Sequence, residues 1–112
     1  MVSEEFKTIV KFLINSNYTF KKFNQNSNSG LYLRFDVDIS IHNALLIAKY
    51  LNKKNIVANF FFQPNNEIYN IFNIKNKKII NDIKKLNHLI GLHIDENFFS
   101  TNEKDILDAL LF

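Results

Sequence analysis

The sequence predicts an α/β protein in which parallel strands alternate with helices. Three segments, residues 31–38, 56–62 and 89–95, are apolar over most of their length, as strands are when both faces of a parallel sheet are covered. Between them lie two segments whose apolar residues recur at the spacing of an amphipathic helix. We therefore expect right-handed strand–helix–strand crossovers within one small domain of 112 residues.

The N-terminal part of the chain predicts a helix followed by an extension. Apolar residues recur at helical spacing in Glu4–Asn15, and Ser3 is a suitable N-cap for this helix. Residues 18–23 predict a short extended segment. The polar residues 24–30 follow as a loop, and they are the only linker-like segment of the sequence.

Strands and helices alternate from residue 31 onward. Ser40 is placed to cap the helix after the first strand, and this helix should end near Lys53. The next two strands are those named above. The other predicted elements are, in order, a turn at 64–66, a short helix over 67–72, a helix over 75–86 and a last helix over 102–112.

The composition excludes several classes of protein. Because the chain has no cysteine, a disulfide framework and a thiolate metal site are both excluded. The first residues lack the basic start and apolar core of a secretory signal, and no run approaches the roughly 18 apolar residues of a membrane span. The net charge of +3 comes from scattered lysine pairs without a nucleic-acid-binding motif. We therefore expect a cytoplasmic protein that binds neither membranes nor nucleic acids.

Two aspartates stand two positions apart in the first predicted strand, within LYLRFDVDIS at residues 31–40. Side chains alternate along a strand, so Tyr32, Arg34, Asp36 and Asp38 should share one face. The apolar residues between them should pack under helices. Carboxylates on a strand are unfavourable unless something pairs with them. The question is therefore which partner the carboxylates of Asp36 and Asp38 face on this side of the sheet.

The third predicted strand brings a histidine to the same place. Gly91, His93 and Asp95 share its polar face, whereas His88 lies five positions before His93 and should point the other way. The carboxyl ends of parallel strands are where α/β proteins build sites. Aspartate and histidine meeting there suit a divalent metal with nitrogen and oxygen ligands.

An alternative interpretation needs no ligand at all. Asp38 would cap the following helix, and Asp36 would pair with Arg34 or with a lysine. A histidine such as His93 would then be an ordinary structural residue. Spacing within the sequence does not decide between this arrangement and a metal site.

Three stretches of the sequence resemble, in order, the first three conserved blocks of the polysaccharide deacetylase family, whose domain is called the NodB-homology domain. They are RFDVDISIHNALLIAKYL, VANFFFQPNNEIYNIFN and INDIKKLNHLIGLHID. The branch that they resemble most has R-H-D-V-D in its first block, A-T-x-F-F and then Y-N in its second, and G-H-E-I-G-L-H-x-D in its third. The motif-bearing part of the chain is residues 31–97.

This resemblance implies a deformed (β/α) barrel and a metal-dependent hydrolase, which removes acetyl groups from N-acetylated sugars. By correspondence with the family motifs, Asp36 is the catalytic base, and Asp38 and His93 bind the metal, which is expected to be zinc. Many members have a second histidine ligand four residues later, where this sequence has Asn97. Asp95 or Glu96 could take its place.

Arg34, His88 and Asp95 are expected to surround and orient these groups. The sequence also departs from the family pattern. Phe35 replaces a histidine, Asn59 a threonine, Asn87 a glycine and Leu89 a glutamate.

The chain is shorter than a family domain, so the resemblance predicts only the N-terminal half of the barrel. Residues 1–112 would form a single partial domain, in which residues 1–23 are an N-terminal helix and extension. A half barrel leaves an unpaired strand edge that favours self-association. The chain could therefore be a hydrolase, or a truncated or degenerate member that acts without catalysis as a binding or assembly partner.

Overall fold

The structure, a computed structural model, describes residues 2–25 and 29–94 of the chain. These residues form three helices and a three-stranded parallel sheet with the strand order β1-β2-β3, so the predicted α/β class is confirmed. The elements are, in order, α1 (Glu4–Asn15), β1 (Arg34–Val37), α2 (Ile41–Lys53), β2 (Asn59–Phe62), α3 (Ile74–Lys85) and β3 (Leu89–Leu92). Within this part of the chain, no helix is long and apolar enough to cross a membrane.

The hydrophobic core lies between the helices and one face of the sheet. Phe60 and Phe62 of the central strand are fully buried there, and Ala48 and Leu51 of α2 are buried with them. Helices α2 and α3 pack against each other, while α1 reaches the same face through Phe6, whose ring centroid lies 5.8 Å from that of Phe35. The described helices therefore cover one face of the sheet and leave the other face to the site.

Short polar side chains begin and end the helices. Ser40 accepts a hydrogen bond from the Asn43 N–H at 3.0 Å, and Ser3 caps α1 in the same way, as predicted. Asn73 caps α3. Asparagines also stand just beyond the ends of the three helices with positive φ angles, namely Asn17, Asn55 and Asn87. Asparagine tolerates the left-handed conformation best after glycine, which explains why asparagine suits these three positions.

One predicted helix is wrong, and the regular part of each of the three predicted strands is shorter than expected. Residues 67–72 form turns, because the Asn66 side-chain oxygen accepts hydrogen bonds from the N–H groups of Ile68 (2.7 Å) and Tyr69 (3.0 Å). Such local bonds compete with helix formation. The regular parts of β1, β2 and β3 cover four residues each. The helix predicted over 102–112 lies outside the described residues.

A buried asparagine attaches the N-terminal extension to the sheet. Asn59 is fully buried at the start of β2, and its side-chain oxygen accepts a hydrogen bond from the Phe23 N–H at 2.7 Å. Its Nδ2 donates to the carbonyls of Lys21 (3.2 Å) and Leu33 (2.9 Å). One side chain therefore satisfies the backbone of two segments that no regular ladder joins.

Replacing Asn59 should destabilise the fold. Asn59→Ala leaves buried backbone groups without partners, so we expect the free energy of unfolding to fall by about 2–4 kcal/mol. Guanidinium denaturation measures this, with Asn52→Ala on the exposed side of α2 as the matched control. Equal stabilities of the two variants would contradict the role given to Asn59.

Candidate functional site

The sheet face opposite the helices carries the first candidate residues. Arg34 and Asp36 are both exposed, whereas Val37 is buried on the helix side, so the predicted alternation of β1 is confirmed. Arg34 Nε donates a hydrogen bond to Asp36 Oδ1 at 2.7 Å. This is one of the pairings that the alternative interpretation expected for Asp36. Because both side chains are more than 40% exposed, the pair orients the carboxylate more than it stabilises the fold.

The Phe61 ring, on the neighbouring strand β2, supports the Arg34–Asp36 pair. The Arg34 guanidinium carbon lies 4.1 Å from the centre of the Phe61 ring, a favourable cation–π arrangement. The same ring lies over Gly91, because a Cβ atom added at Gly91 would meet Phe61 Cε1 at 2.5 Å. The sheet register places Asp36, Phe61 and Gly91 side by side. Glycine is therefore required at residue 91 for the ring that holds Arg34.

His93 follows β3 and continues its pairing by one residue. Its backbone N–H donates to the Phe62 carbonyl at 2.8 Å. Its ring atom Nδ1 is buried and has no hydrogen-bond partner among the residues that the structure describes. Buried polar atoms normally have partners, so this nitrogen needs an explanation that the described side chains do not supply.

Asp38 follows β1 and is exposed. Ser40, and not Asp38, is the N-cap of α2, so the capping role that the alternative interpretation gave to Asp38 is wrong. Its backbone carbonyl accepts a hydrogen bond from Asn66 Nδ2 at 2.8 Å. Across the described part of the chain, no ion pair engages its carboxylate. One strand separates Asp38 from His93, so their backbones lie roughly 10 Å apart, or two strand spacings.

The Tyr69 hydroxyl lies near Asp38. Burial raises the pKa of this phenol above its usual value of 10.0. The hydrogen bond from the Gln63 N–H acts in the opposite direction, and the negative charge of Asp38 raises the pKa further. Tyr69 is therefore neutral at physiological pH.

His88 lies on the helix side of the sheet, away from His93. Its Nδ1 accepts a hydrogen bond from the Ala58 N–H at 3.0 Å, and its Nε2 donates to the Ala48 carbonyl at 2.9 Å. Burial lowers the pKa of the imidazole, the Ala48 carbonyl opposes this, and the charge of Lys22 lowers it further. Both nitrogens of the neutral ring are occupied, so His88 joins β2 to α2 and has no free ligand atom.

The remaining sequence candidates lie beyond the described residues. Asp95, Glu96 and Asn97 all lie outside the residues that the structure describes. Over residues 2–25 and 29–94, no group of three or more histidine, aspartate or glutamate side chains is placed to hold a metal ion. The structure thus joins Arg34 to Asp36, and it leaves Asp38 and His93 at the carboxyl ends of the two strands that flank β2.

A groove of 520 Å³ runs beside the acidic residues, between β1 and the start of α2. Asp36 and Asp38 line it, together with the apolar residues Ala44 and Ile47 of α2. Within the described ranges, no strand pairs with the outer edge of β1. The backbone of this edge is thus available to another segment.

Sequence reasoning missed four residues of this region. Phe61 and Gly91 hold Arg34, and Asn66 and Tyr69 hold the end of β1. A glycine inside an apolar strand signals close approach by another group, so Gly91 offered a detectable signal. The contacts of Tyr69 join segments 32 residues apart, and no local pattern reveals such a pairing.

Comparison with protein-family models, with curated proteins and with solved structures found no match to the chain. The fold and the site therefore define only a broad class of protein. This is a parallel α/β protein with an aspartate pair and a histidine at the carboxyl ends of its strands. Its relation to the polysaccharide deacetylases stays a prediction, which rests on the order and spacing of the sequence motifs.

The neutral His88 should make the stability depend on pH. Its pKa is lowered in the folded chain, so the unfolded chain binds more protons, and stability rises with pH. Above about pH 6.5, neutral His88 should make its full contribution to the free energy of unfolding. This contribution should be lost as the pH falls below that value toward the lower pKa that His88 has in the folded chain. Guanidinium denaturation at a series of pH values measures this. His88→Gln should flatten the profile, and an unchanged profile in this variant would show that another group titrates.

Gly91 and Phe61 should be energetically coupled. Gly91→Ala forces the Phe61 ring to move, and we expect a loss of about 1–3 kcal/mol in the free energy of unfolding. In the Phe61→Leu background the same change should be less unfavourable, because the ring is gone. A double-mutant cycle by guanidinium denaturation gives the coupling energy. Additive effects would mean that the close approach has no energetic consequence.

Proposed function

We propose that the chain is a metal-dependent hydrolase that removes the acetyl group from an N-acetylated sugar. The observation that carries the proposal is the presence of ligand-type side chains toward the carboxyl ends of β1 and β3, on either side of β2. Asp36 and Asp38 belong to one strand end and His93 to the other, and the His93 Nδ1 is buried without a described partner. The chain would thus be the N-terminal half of a deformed (β/α) barrel of the NodB-homology type.

The residues at these strand ends fit a divalent metal, and their donor atoms suit zinc.

 The Asp38 carboxylate makes no ion pair with the residues described, and the buried Nδ1 of His93 lacks a hydrogen-bond partner there. A carboxylate oxygen and an imidazole nitrogen are both zinc ligands. When bound, such a metal would polarise the acetamide carbonyl. Asn97 is the third candidate ligand, and it comes from the resemblance alone.

Asp36 supplies the base of the proposed reaction. Its Oδ1 accepts the Arg34 hydrogen bond at 2.7 Å, so the other carboxylate oxygen can take a proton from the attacking water. The carboxylate is 42% exposed, and both water and a sugar can therefore reach it. Arg34, fixed over the Phe61 ring, holds the carboxylate in one orientation while the proton moves.

The substrate class rests on the resemblance to the deacetylases. An N-acetylated carbohydrate presents the amide that this chemistry cleaves, and the products are acetate and a free amine. We place the reaction in the cytoplasm and assign it neither a membrane nor a nucleic acid as partner.

A second candidate is a non-catalytic member that acts as a binding or assembly partner. One observation favours it. Within the described ranges, the outer edge of β1 is unpaired beside the 520 Å³ groove. Another copy of the chain could add a strand at this edge, which is the self-association expected of an open barrel.

Two substitutions should separate metal binding from catalysis. Asp38→Ala is expected to lose bound zinc, because it removes a ligand. Asp36→Asn should keep the zinc and slow acetate release by at least ~100-fold, because the amide cannot accept the proton. The measurements are zinc per chain after removal of excess metal, and acetate released from an N-acetylglucosamine oligosaccharide.

Asp82→Asn is the matched control, since Asp82 pairs with Lys78 on α3 and should change neither result. Acetate release that survives Asp36→Asn would contradict the hydrolase mechanism. Absence of zinc from the wild-type chain would contradict the metal site and favour the second candidate. Sedimentation of the same zinc-free chain then tests self-association. A chain that stays monomeric at every concentration would exclude it.

A further inference from the structure

The hydrogen-bond ladder between β1 and β2 is interrupted at its carboxyl end. The Asn59 N–H donates to the Leu33 carbonyl at 2.9 Å, and in a parallel ladder this pattern recurs every two residues. The Gln63 N–H should accordingly donate to the Val37 carbonyl. It donates instead to the Tyr69 hydroxyl at 2.8 Å, and this hydroxyl donates to the Val37 carbonyl.

A phenol therefore stands between two strands where a direct bond would hold them together. The ladder on the other side of β2 is not interrupted, because the His93 N–H reaches the Phe62 carbonyl at 2.8 Å. The gap thus opens only between β1 and β2, immediately before Asp38. Openings at the carboxyl ends of parallel strands are places where α/β proteins bind ligands.

The turn that contains Tyr69 also holds Asp38 directly. Asn66 Nδ2 donates to the Asp38 carbonyl at 2.8 Å, and Asn66 Oδ1 accepts from the Tyr69 N–H at 3.0 Å. The backbone on both sides of the Val37–Asp38 peptide bond is consequently fixed by one turn. The position of the Asp38 carboxylate depends on this turn more than on the ladder of β1.

We propose that Tyr69 is a positioning residue for Asp38, one that keeps the strand ends apart and so sets the geometry of the metal site. The inference rests on the metal site proposed above. Tyr69 does not act as an acid here, because its single hydroxyl proton is engaged by the Val37 carbonyl. It acts through Asp38, in the way that residues around a metal's direct ligands orient those ligands.

The test is the affinity for zinc of Tyr69→Phe in the full chain. The substitution keeps the ring and removes the hydroxyl, so the Gln63 N–H and the Val37 carbonyl lose their bridge. We expect zinc affinity to fall at least ~10-fold and the visible absorption spectrum of the cobalt-substituted chain to change. The spectrum reports ligand geometry, which a loss of stability alone would not alter.

Two control variants make the result specific. Tyr50→Phe removes a hydroxyl from α2, where the Tyr50 ring contacts Phe6, and Asn59→Ala destabilises the sheet away from Asp38. Both should bind zinc within about twofold of the wild-type affinity. Equal zinc affinity of Tyr69→Phe and the wild type would overturn the role of Tyr69 and leave the metal site standing.

A measurement on the wild-type chain covers the case in which Tyr69→Phe fails to fold. Saturating zinc should shift the amide signal of Gln63 in a nitrogen–proton NMR spectrum, because this amide bonds to the Tyr69 hydroxyl. An unshifted Gln63 signal at saturating zinc would overturn the inference. A wild-type chain that binds no zinc would overturn both the inference and the proposed metal site.

Discussion

The pairing of β2 with both of its neighbours is the constraint on which the rest of the structure depends. Its parallel register with β1 and β3 places Asp36, Phe61 and Gly91 at one level of the sheet. The same pairing buries Phe60 and Phe62 against the helices. A slip of one residue would exchange the two faces of the strand, and it would move Phe61 away from Arg34. Core packing and the geometry of the site therefore share one register.

Side chains complete the backbone hydrogen bonding where the short strands end. At the start of β2, the Asn59 side chain accepts a hydrogen bond from the N-terminal extension. The His88 ring connects Ala58 to α2, and the Tyr69 hydroxyl bridges the end of β1 and Gln63. Each strand has only four residues, so the ladders leave buried backbone groups that need other partners. These side chains satisfy such groups and in doing so fix where the strand ends lie.

Much of the fold and part of the candidate site could be predicted from the sequence. Helical spacing and the caps Ser3 and Ser40 identified α1 and α2, because these signals are local. Alternation along β1 separated Asp36 from the core. The helix predicted over 67–72 is wrong, because the Asn66 side-chain oxygen accepts hydrogen bonds from the N–H groups that follow it. These local hydrogen bonds outweighed the weak helical pattern. The Tyr69 bridge could not be predicted, because it joins residues distant in the sequence.

By itself, the sequence determined the order and type of the six described elements, the face on which Asp36 lies, and the spacing of the residues that resemble the deacetylase motifs. These features follow from local periodicity, capping and alternation. Only the tertiary structure decided that Phe61 holds Arg34 above Gly91, that both nitrogens of His88 bind backbone groups, and that Tyr69 separates β1 from β2. The reason is physical: such contacts arise when strands pair and helices pack, and they bring together residues that no local pattern connects.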